Sequence, residues 1–490
     1  MAISKIVYKS SPNATPVTWM DATPSTATAD KVFAGYTAML ADGVVTTGTG
    51  TGGGGGSGGS IYQDENGYIV LSPNGGSSEV EKKAVNFYDY DGTRLYSYTA
   101  AEAQALEALP SNPTHDGLTA QGWNWTLAQI KSQLTNLGGV ISVGQNYVTS
   151  DGKTYIDIEL DDPNYLHPYF TASVNGTIVV DWGDNSSTTT MTGSADSTNH
   201  YANHTYSSTG KYTITITVSS GHFTFRSGGY AGVLQTASTT TKRNSLTYSS
   251  KIKAIRIGSN ALINQYAFWS CTNLETITAP STLTTLGTYI FRRNTSLKHF
   301  VVPSGITEIP LSMFDQCASM KAISIPSSVT TFGEGAFINS YNLEDITFPA
   351  SVTSVGKNLI NNCSKIVECI LPSSIQTIPS GFMYAPYSLK HLTLPSSLTT
   401  VETQAFYYLY SLETLTIPAN VTSIATKAFY GMYSLVELHF LGTTPPTLAD
   451  ANAFTNIQTF CTIYVPAGYL SAYTSAQYYP SSATYTYVEE

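Results

Sequence analysis

A period of 23 residues constrains this chain more than any other feature. Prolines stand at 280, 303, 326, 349, 372, 395 and 418, each 23 residues after the last. Three apolar columns keep the same step. One runs Leu274, Leu297, Met320, Leu343, Ile366, Leu389, Leu412, Leu435, and a second runs Phe268, Phe291, Phe314, Phe337, Ile360, Met383, Phe406, Phe429. The third is Ile277, Phe300, Ile323, Ile346, Cys369, Leu392, Leu415, Leu438. Each unit is too short to bury its own apolar residues and must bury them against the units on either side, so the pattern requires a solenoid. Leu274-Glu275-Thr276-Ile277-Thr278 reads as a short parallel strand, closed at Pro280 because proline has no N–H to give to the ladder. Adjacent coils then stack at ~4.8 Å, and eight of them span ~40 Å. Cys271, Cys317 and Cys363 share one column. They fall two coils apart, ~10 Å, whereas a disulfide needs Cα atoms within ~7 Å. They are expected as small buried residues.

The outward-facing columns differ in chemistry. The first exposed strand position reads Glu275, Lys298, Lys321, Glu344, Val367, Lys390, Glu413, Val436. Opposite charges fall on adjacent coils at Glu275–Lys298, Lys321–Glu344 and Lys390–Glu413, a pattern suited to cross-rung pairing worth at most ~1 kcal/mol a pair. Two further columns carry tyrosine in the last three coils: Tyr384, Tyr407, Tyr430 and Tyr387, Tyr410, Tyr433. Their upstream equivalents include Asn361, Ser364, Asp315 and Arg292, so the coil itself does not require tyrosine. These six are the candidate ligand-binding residues. An aromatic platform offers rigid amphipathic area to sugar rings or to a protein partner; alternatively the rings seal the surface of the rod. Tyr473, Tyr478 and Tyr479 would extend the platform. Beyond Leu441 the rhythm loosens, and Phe454, Cys461, Ile463, Val465 and Pro466 read as an irregular capping coil.

The remainder of the 490 residues divides into modules. Residues 1–50 form an N-terminal segment and 51–60 a Gly/Ser linker, followed by a hairpin and a mixed α/β module over 61–148. A β-sandwich covers 149–245, the solenoid 246–465, and a cap 466–490. Asn66-Gly67 marks a hairpin turn between Ile61 and Ser72. In the mixed module Asp91-Gly92 turns between two strands, and Thr99-Ala100-Ala101-Glu102 is a capping box opening a helix that ends before Pro110. A second helix places Leu127, Ile130, Leu134 and Leu137 on one face and stops at Gly138-Gly139. Trp123 and Trp125 read as core anchors. From Tyr155 to Val218 the pattern turns to alternating strands, with Tyr212, Ile214, Ile216 and Val218 on one face by period two.

Four resemblances follow from these residues. The unit L-x-x-I-x-[ILVF]-P followed by V-T-x-I-x-x-x-A-F resembles BspA-type leucine-rich repeats over about 190 residues. Asp181-Trp182-Gly183-Asp184 with His204-Thr205-Tyr206, Gly210 and Tyr212 resembles the PKD-type, Ig-like β-sandwich, whose signature is W-G-D-G followed by H-x-Y-x-x-x-G-x-Y. Asn185 stands where that family has its last glycine, and asparagine also accepts positive φ. Ala29-Asp30-Lys31 … Gly35-Tyr36-Thr37-Ala38 … Thr49-Gly50 resembles the N-terminal segment of bacteriophage tail and fibre proteins, and Phe87 to Trp125 a module of virion proteins from gut phages. The fold class is therefore mainly β and multidomain: small N-terminal β and mixed modules, an Ig-like PKD β-sandwich, then a leucine-rich-repeat solenoid of 23-residue coils.

Charged residues make up only 11% of the chain and the net charge is −10, which removes the electrostatic case for gripping nucleic acid. No apolar run approaches the ~18–20 residues that insert across a membrane. The N-terminus has no apolar h-region of a signal peptide, and five cysteines are too few for a disulfide scaffold. Candidate chemistry is sparse. Gly55-Gly56-Ser57-Gly58-Gly59 satisfies a nucleophile-elbow pattern inside a glycine linker with no strand before it. Gly152-Lys153-Thr154 lacks the earlier glycine of a phosphate loop. His200 and His204 flank a strand and loop, and the PKD resemblance makes His204 structural. Asp157, Glu159, Asp161, Asp162, Asp181 and Asp184 are carboxylates of the kind that ligate calcium, with solvated strand edges as the plain alternative. No catalytic residue, metal site or cofactor is expected. The phage resemblance implies a virion exterior, made in the host cytoplasm, with other virion proteins bound through the N-terminus and a bacterial surface glycan or protein bound by the repeats. It implies a tail fibre or receptor-binding protein; a head fibre or capsid decoration protein, or a bacterial surface adhesin, are the alternatives. Fibres are commonly homo-oligomers, often trimers, although the chain has no coiled-coil heptads to build one.

Overall fold

The structure, a computed structural model, describes residues 83–225, 234–236 and 248–490, together with the backbone of short strands between Ile6 and Leu71. Residues Met1–Lys82 and Lys83–Glu490 are separate compact units. In the first, Ile61–Gln63 pairs antiparallel with Ile69–Leu71, the hairpin expected around Asn66-Gly67, and Thr37–Met39 pairs with Val45–Thr47. The Gly/Ser linker 51–60 and the motif from Ala29 to Tyr36 lie outside the described residues.

The second unit opens with a four-stranded sheet carrying two helices. Strand β1 (Lys83–Tyr88) turns at Gly92 into β2 (Arg94–Thr99). Helix α1 (Ala100–Ala105) starts at the expected capping box, in which Thr99 Oγ1 accepts from Glu102 N and the Glu102 carboxylate accepts from Thr99 N. Strand β3 (Leu118–Trp123), helix α2 (Leu127–Asn136) and strand β4 (Ile141–Thr149) complete it, in sheet order β2-β1-β4-β3. The core of this module is Val85, Phe87, Ala103, Trp125, Ile130, Ile141 and Val143.

The strands read as an Ig-like sandwich form one continuous sheet. β5 (Thr154–Leu160), β6 (Pro168–Asp181), β7 (Thr189–Asn203) and β8 (Gly210–Phe225) lie in the order β7-β6-β8-β5. The free side of β5 pairs with Ile252–Arg256, which in turn pairs in parallel with Thr276–Ile277 of the first coil. The sheet thus runs into the solenoid's ladder, and Ile156, Ile158, Ile178, Val180, Ile214 and Ile216 belong to the same core as the coils. The local motif is nevertheless formed. Asn185 sits at φ 62°, and His204 stacks on Trp182 at 4.8 Å while its Nε2 meets Asp184 Oδ2 at 2.8 Å. The Tyr206 hydroxyl donates to Trp182 O at 2.9 Å. His204 is structural here. The carboxylates in and just after β5 are engaged by nearby cations: Asp157 by Arg256, Glu159 by Lys211 and Lys253, and Asp161 by Lys251.

Each solenoid coil presents three ladder faces. The first carries the L-x-x-I-x-I strands, with Thr414↔Glu437 and Leu415↔Leu438 in parallel register 23 residues apart. The second carries Thr377–Ile378, Thr400–Val401 and Ser423–Ile424, and the third Met383–Tyr384 and Phe406–Tyr407. Inside, the Phe column stacks from coil to coil at 5.8, 5.5 and 5.5 Å between Phe268, Phe291, Phe314 and Phe337. All five cysteines are free and buried; Cys317 and Cys363 Sγ donate to the carbonyls of Phe291 and Phe337. Of the three charge pairs expected on the first face, Glu275–Lys298 closes, at 2.9 Å.

The mixed module packs directly onto the first face of the early coils, where the sequence suggests only a spacer. β4 crosses the coils along the rod axis. The Thr347 hydroxyl donates to Val140 O, Gly144 lies against Val301 and Ser324, and Asn146 Nδ2 donates to Ala279 O. Ser142 N also donates to Thr347 Oγ1, and from Ser142 to Asn146 four residues of strand cover ~13 Å while Thr347 to Ala279 is about three coil steps, ~14 Å, so the two repeats match. Asn124 Nδ2 reaches the carbonyls of Val302 and Ser324, Trp125 Nε1 that of Ile325 at 2.7 Å, and Gln133 Nε2 that of Phe348. A side-chain Cβ on residue 144 would stand 2.6 Å from both methyl carbons of Val301, so the approach requires glycine.

Candidate functional site

The candidate site lies on the third face of the last coils, and its geometry comes from two left-handed positions in every turn. One column of positive φ runs Tyr266, Tyr289, Ser312, Gly335, Asn358, Gly381, Gln404, Lys427; the other runs Ser270, Arg293, Gln316, Asn339, Asn362, Ala385, Tyr408. Gly431 continues the second column. A left-handed residue costs roughly 1–2 kcal/mol unless it is glycine, so these positions are held by the ladder. Tyr408 N donates to Tyr430 O and Ala385 N to Tyr407 O, both across one coil. Between the two turns, Phe406 points inward and is fully buried, while Tyr407, its neighbour in sequence, faces out.

All six expected tyrosines come together as two rails. Tyr384, Tyr407 and Tyr430 stack at 5.0 and 5.1 Å with interplanar angles of 19° and 12°. Tyr387, Tyr410 and Tyr433 stack at 5.1 and 5.6 Å, 14° and 17°. A seventh ring, Tyr408, joins them, 4.3 Å from Tyr407 and stacked on Tyr410 at 5.3 Å. It occupies a left-handed position where tyrosine is unexpected. The readable signal for it is Gly431, the next residue of its column: a Cβ there would stand 2.2 Å from the Tyr408 ring, so glycine is what lets that ring lie over the following coil. A hydrogen bond with Tyr407 pushes the Tyr408 phenol up to about 12, and burial raises that of Tyr410.

The stacking also corrects the idea of a flat platform. Ring faces in the middle of each rail point along the rod and are covered by the next ring. What projects outward is ring edge and hydroxyl, with an open face left only at the rail ends. Tyr387 and Tyr433 are accordingly 56% and 44% exposed. Tyr473 and Tyr479 do not extend the rails. Tyr473 is fully buried with its hydroxyl on Gly442 O, and Tyr479 bonds Pro446 O and packs on Phe440, so both plug the end of the solenoid. No group of three or more His, Cys, Asp or Glu is placed to hold a metal among the described residues, and none of their helices is long and apolar enough to cross a membrane.

The BspA type leucine rich repeat region family matches residues 239–367 and 354–482, with six copies of the repeat, so this part of the chain is a BspA-type leucine-rich-repeat solenoid. No curated protein matches the sequence. Among solved structures, the chain is similar to a leucine-rich repeat protein from Bacteroides ovatus ATCC 8483 (15% identity, 51% of this chain and 78% of that one, TM-score 0.31). It is also similar to one from Eubacterium ventriosum ATCC 27560 (23%, 52% and 76%, 0.31). A third is a leucine rich cell surface protein from Faecalibacterium prausnitzii A2-165 (22%, 47% and 76%, 0.27).

Proposed function

We propose that this chain is a non-enzymatic adhesion protein of a bacteriophage particle, a tail fibre or receptor-binding protein. In this reading its N-terminal segment attaches to other virion proteins, and its last coils bind a component of the bacterial surface. The observation that carries the adhesive part is the tyrosine array: seven rings in three coils, outside the core, at positions where the earlier coils are mixed, with Asn361, Ser364, Asp315 and Arg292 beside a single tyrosine, Tyr341, in the two rail columns. Tyrosine offers large contact area with few rotamers to freeze, which favours recognition over mere packing. The virion placement is supported by the resemblance of residues 29–50 and 87–125 to phage modules.

Purified protein with Tyr407→Ser and Tyr410→Ser is expected to lose adsorption to susceptible bacteria while its circular dichroism is unchanged; undiminished adsorption would overturn the reading. Immunogold labelling of the C-terminus separates the alternatives. Gold at the tail tip supports the tail fibre, gold on the capsid a head fibre, and gold on uninfected cells a bacterial adhesin.

A further inference from the structure

The outer tyrosine column has an interruption with the dimensions of a ring. Read upstream from Tyr433 it runs Tyr410, Tyr387, Ser364, Tyr341. Tyr410 lies between Tyr387 and Tyr433, 5.1 and 5.6 Å from them, so two coils of separation hold one six-membered ring between two tyrosines. Tyr341 and Tyr387 are also two coils apart, ~9.6 Å, and between them stands only the Ser364 hydroxymethyl. Both are exposed, at 47% and 56%. The gap therefore has an aromatic residue on each side, a serine floor, and room for one ring at about the van der Waals distance from each wall.

The surroundings select what that ring is. The coil from Asn358 to Ser364 holds no charged side chain and three asparagines, each a planar donor and acceptor. Asn362 Nδ2 donates to Asn339 Oδ1 at 2.8 Å, and the Tyr341 hydroxyl reaches the same oxygen at 3.4 Å. Asn361 Nδ2 donates to Asn358 Oδ1, but the Asn361 amide oxygen is buried with no partner among the described residues. A Phe or Leu from a protein partner would offer these amides no hydrogen bond, whereas the hydroxyls of a hydroxylated ring both donate and accept. Building on the adhesion reading above, we propose that the gap over Ser364, between Tyr341 and Tyr387, binds one neutral hexopyranose residue of a bacterial surface glycan. The rails downstream then contact the units that follow in the polymer.

The solenoid supplies its own control. Tyrosine occupies both neighbouring positions of this column, Tyr341 and Tyr387, and the two beyond, Tyr410 and Tyr433, so Ser364→Tyr fills the gap with a residue the coil accepts. The full chain, the Ser364→Tyr variant and a Tyr387→Ala variant are titrated with neutral hexasaccharides of glucose, mannose and galactose, read by saturation-transfer NMR and calorimetry. The expected result is binding of at least one hexasaccharide by the unaltered chain, weakened about tenfold or more in both variants, with thermal unfolding unchanged. Unaltered binding by Ser364→Tyr, or no binding of any of the three sugars by the unaltered chain, overturns the proposal. Adsorption to bacteria separates this failure from that of the adhesion reading. Equal adsorption by the unaltered chain and Ser364→Tyr sinks the gap and leaves adhesion standing. Sugar binding without adsorption sinks the adhesion reading and leaves the gap.

Discussion

The first face of the solenoid is the same backbone in two settings. In the early coils it lies beneath the mixed module, and its outward residues His299, Val301, Ala322, Ser324 and Thr347 are all at most 6% exposed. In the later coils the equivalent positions, His391, Thr393, Thr414 and Thr416, are exposed. His299 and His391 even share one column, four coils apart. Coil geometry therefore does not decide whether this face is interface or surface; the outward side chains do. Small and apolar residues let β4 come close enough for its module to reach the solenoid's carbonyls, and threonines leave the face to water.

Removing the anchor that joins the two regions should have the largest effect. Trp125 is 1% exposed, fills the module's core and donates to Ile325 O across the interface. Trp125→Ala is expected to cost about 3–5 kcal/mol in urea unfolding. Hydrogen exchange should accelerate at the first face of the coils from Thr276 to Phe348 while the Thr414–Ile417 ladder keeps its protection. Equal acceleration in both halves would show that the module stabilises the whole rod and that the two halves are not energetically distinct.

Acid sharpens the same contrast. His299 is fully enclosed against Tyr88, with Nδ1 donating to Ala322 O and Nε2 accepting from Ser324 Oγ. Burial holds its pKa down to about 4 from an ordinary 6.5, with the nearby Asp91 charge offsetting part of the fall. The folded state thus stays neutral where the unfolded chain takes up a proton. The stability is complete above pH 6.5, declines as pH falls toward 4, and levels off below that, a loss of about 3 kcal/mol. An imidazole resonance of His299 that titrates near 6.5 in the folded chain would contradict this enclosure.

The repeat was legible because one period fixes both the ladder and the core. All three apolar columns, the buried cysteines and the six tyrosines fall where spacing places them. The capping box at Thr99 and the hairpin turn at Gly92 were legible for the same local reason. What spacing does not carry is contact between modules. Gln133 looks like a surface residue of an amphipathic helix, yet it is buried and bonded to both Phe348 O and Ala350 N. The Ig-like strands were legible as strands and as a motif at Trp182 and His204, whereas their pairing through Ile252–Arg256 into the first coil was not. The one available signal for docking was the run of small residues, Val301, Ala322 and Ser324, at outward positions of a face that elsewhere carries Thr, Glu and His.

A smaller change tests closeness itself. Gly144→Ala adds one methyl group 2.6 Å from the Val301 methyls and 2.7 Å from Ser324 Cβ, so β4 must move off the coils. The expected cost is about 1–3 kcal/mol, read as a lower urea midpoint, and Val301→Ala in the same chain should recover part of it. If Gly144→Ala is neutral, the module rests on the solenoid more loosely than its hydrogen bonds to the coil carbonyls imply.

The smallest effect on folding belongs to the open half. Tyr407 and Tyr410 stand outside the core, and the adjacent Phe406 carries the burial that holds the coil. Replacing both tyrosines by serine removes ring-on-ring contact already shared with water. The expected cost in unfolding free energy is therefore within about 1 kcal/mol, well below the ~3–5 kcal/mol of Phe406→Ala. The two outcomes separate the meanings of one aromatic spacing. A loss of several kcal/mol in the serine variant would make the rails a second, external core that seals the rod. A loss near zero, together with lost adsorption, leaves them as surface retained for what they bind.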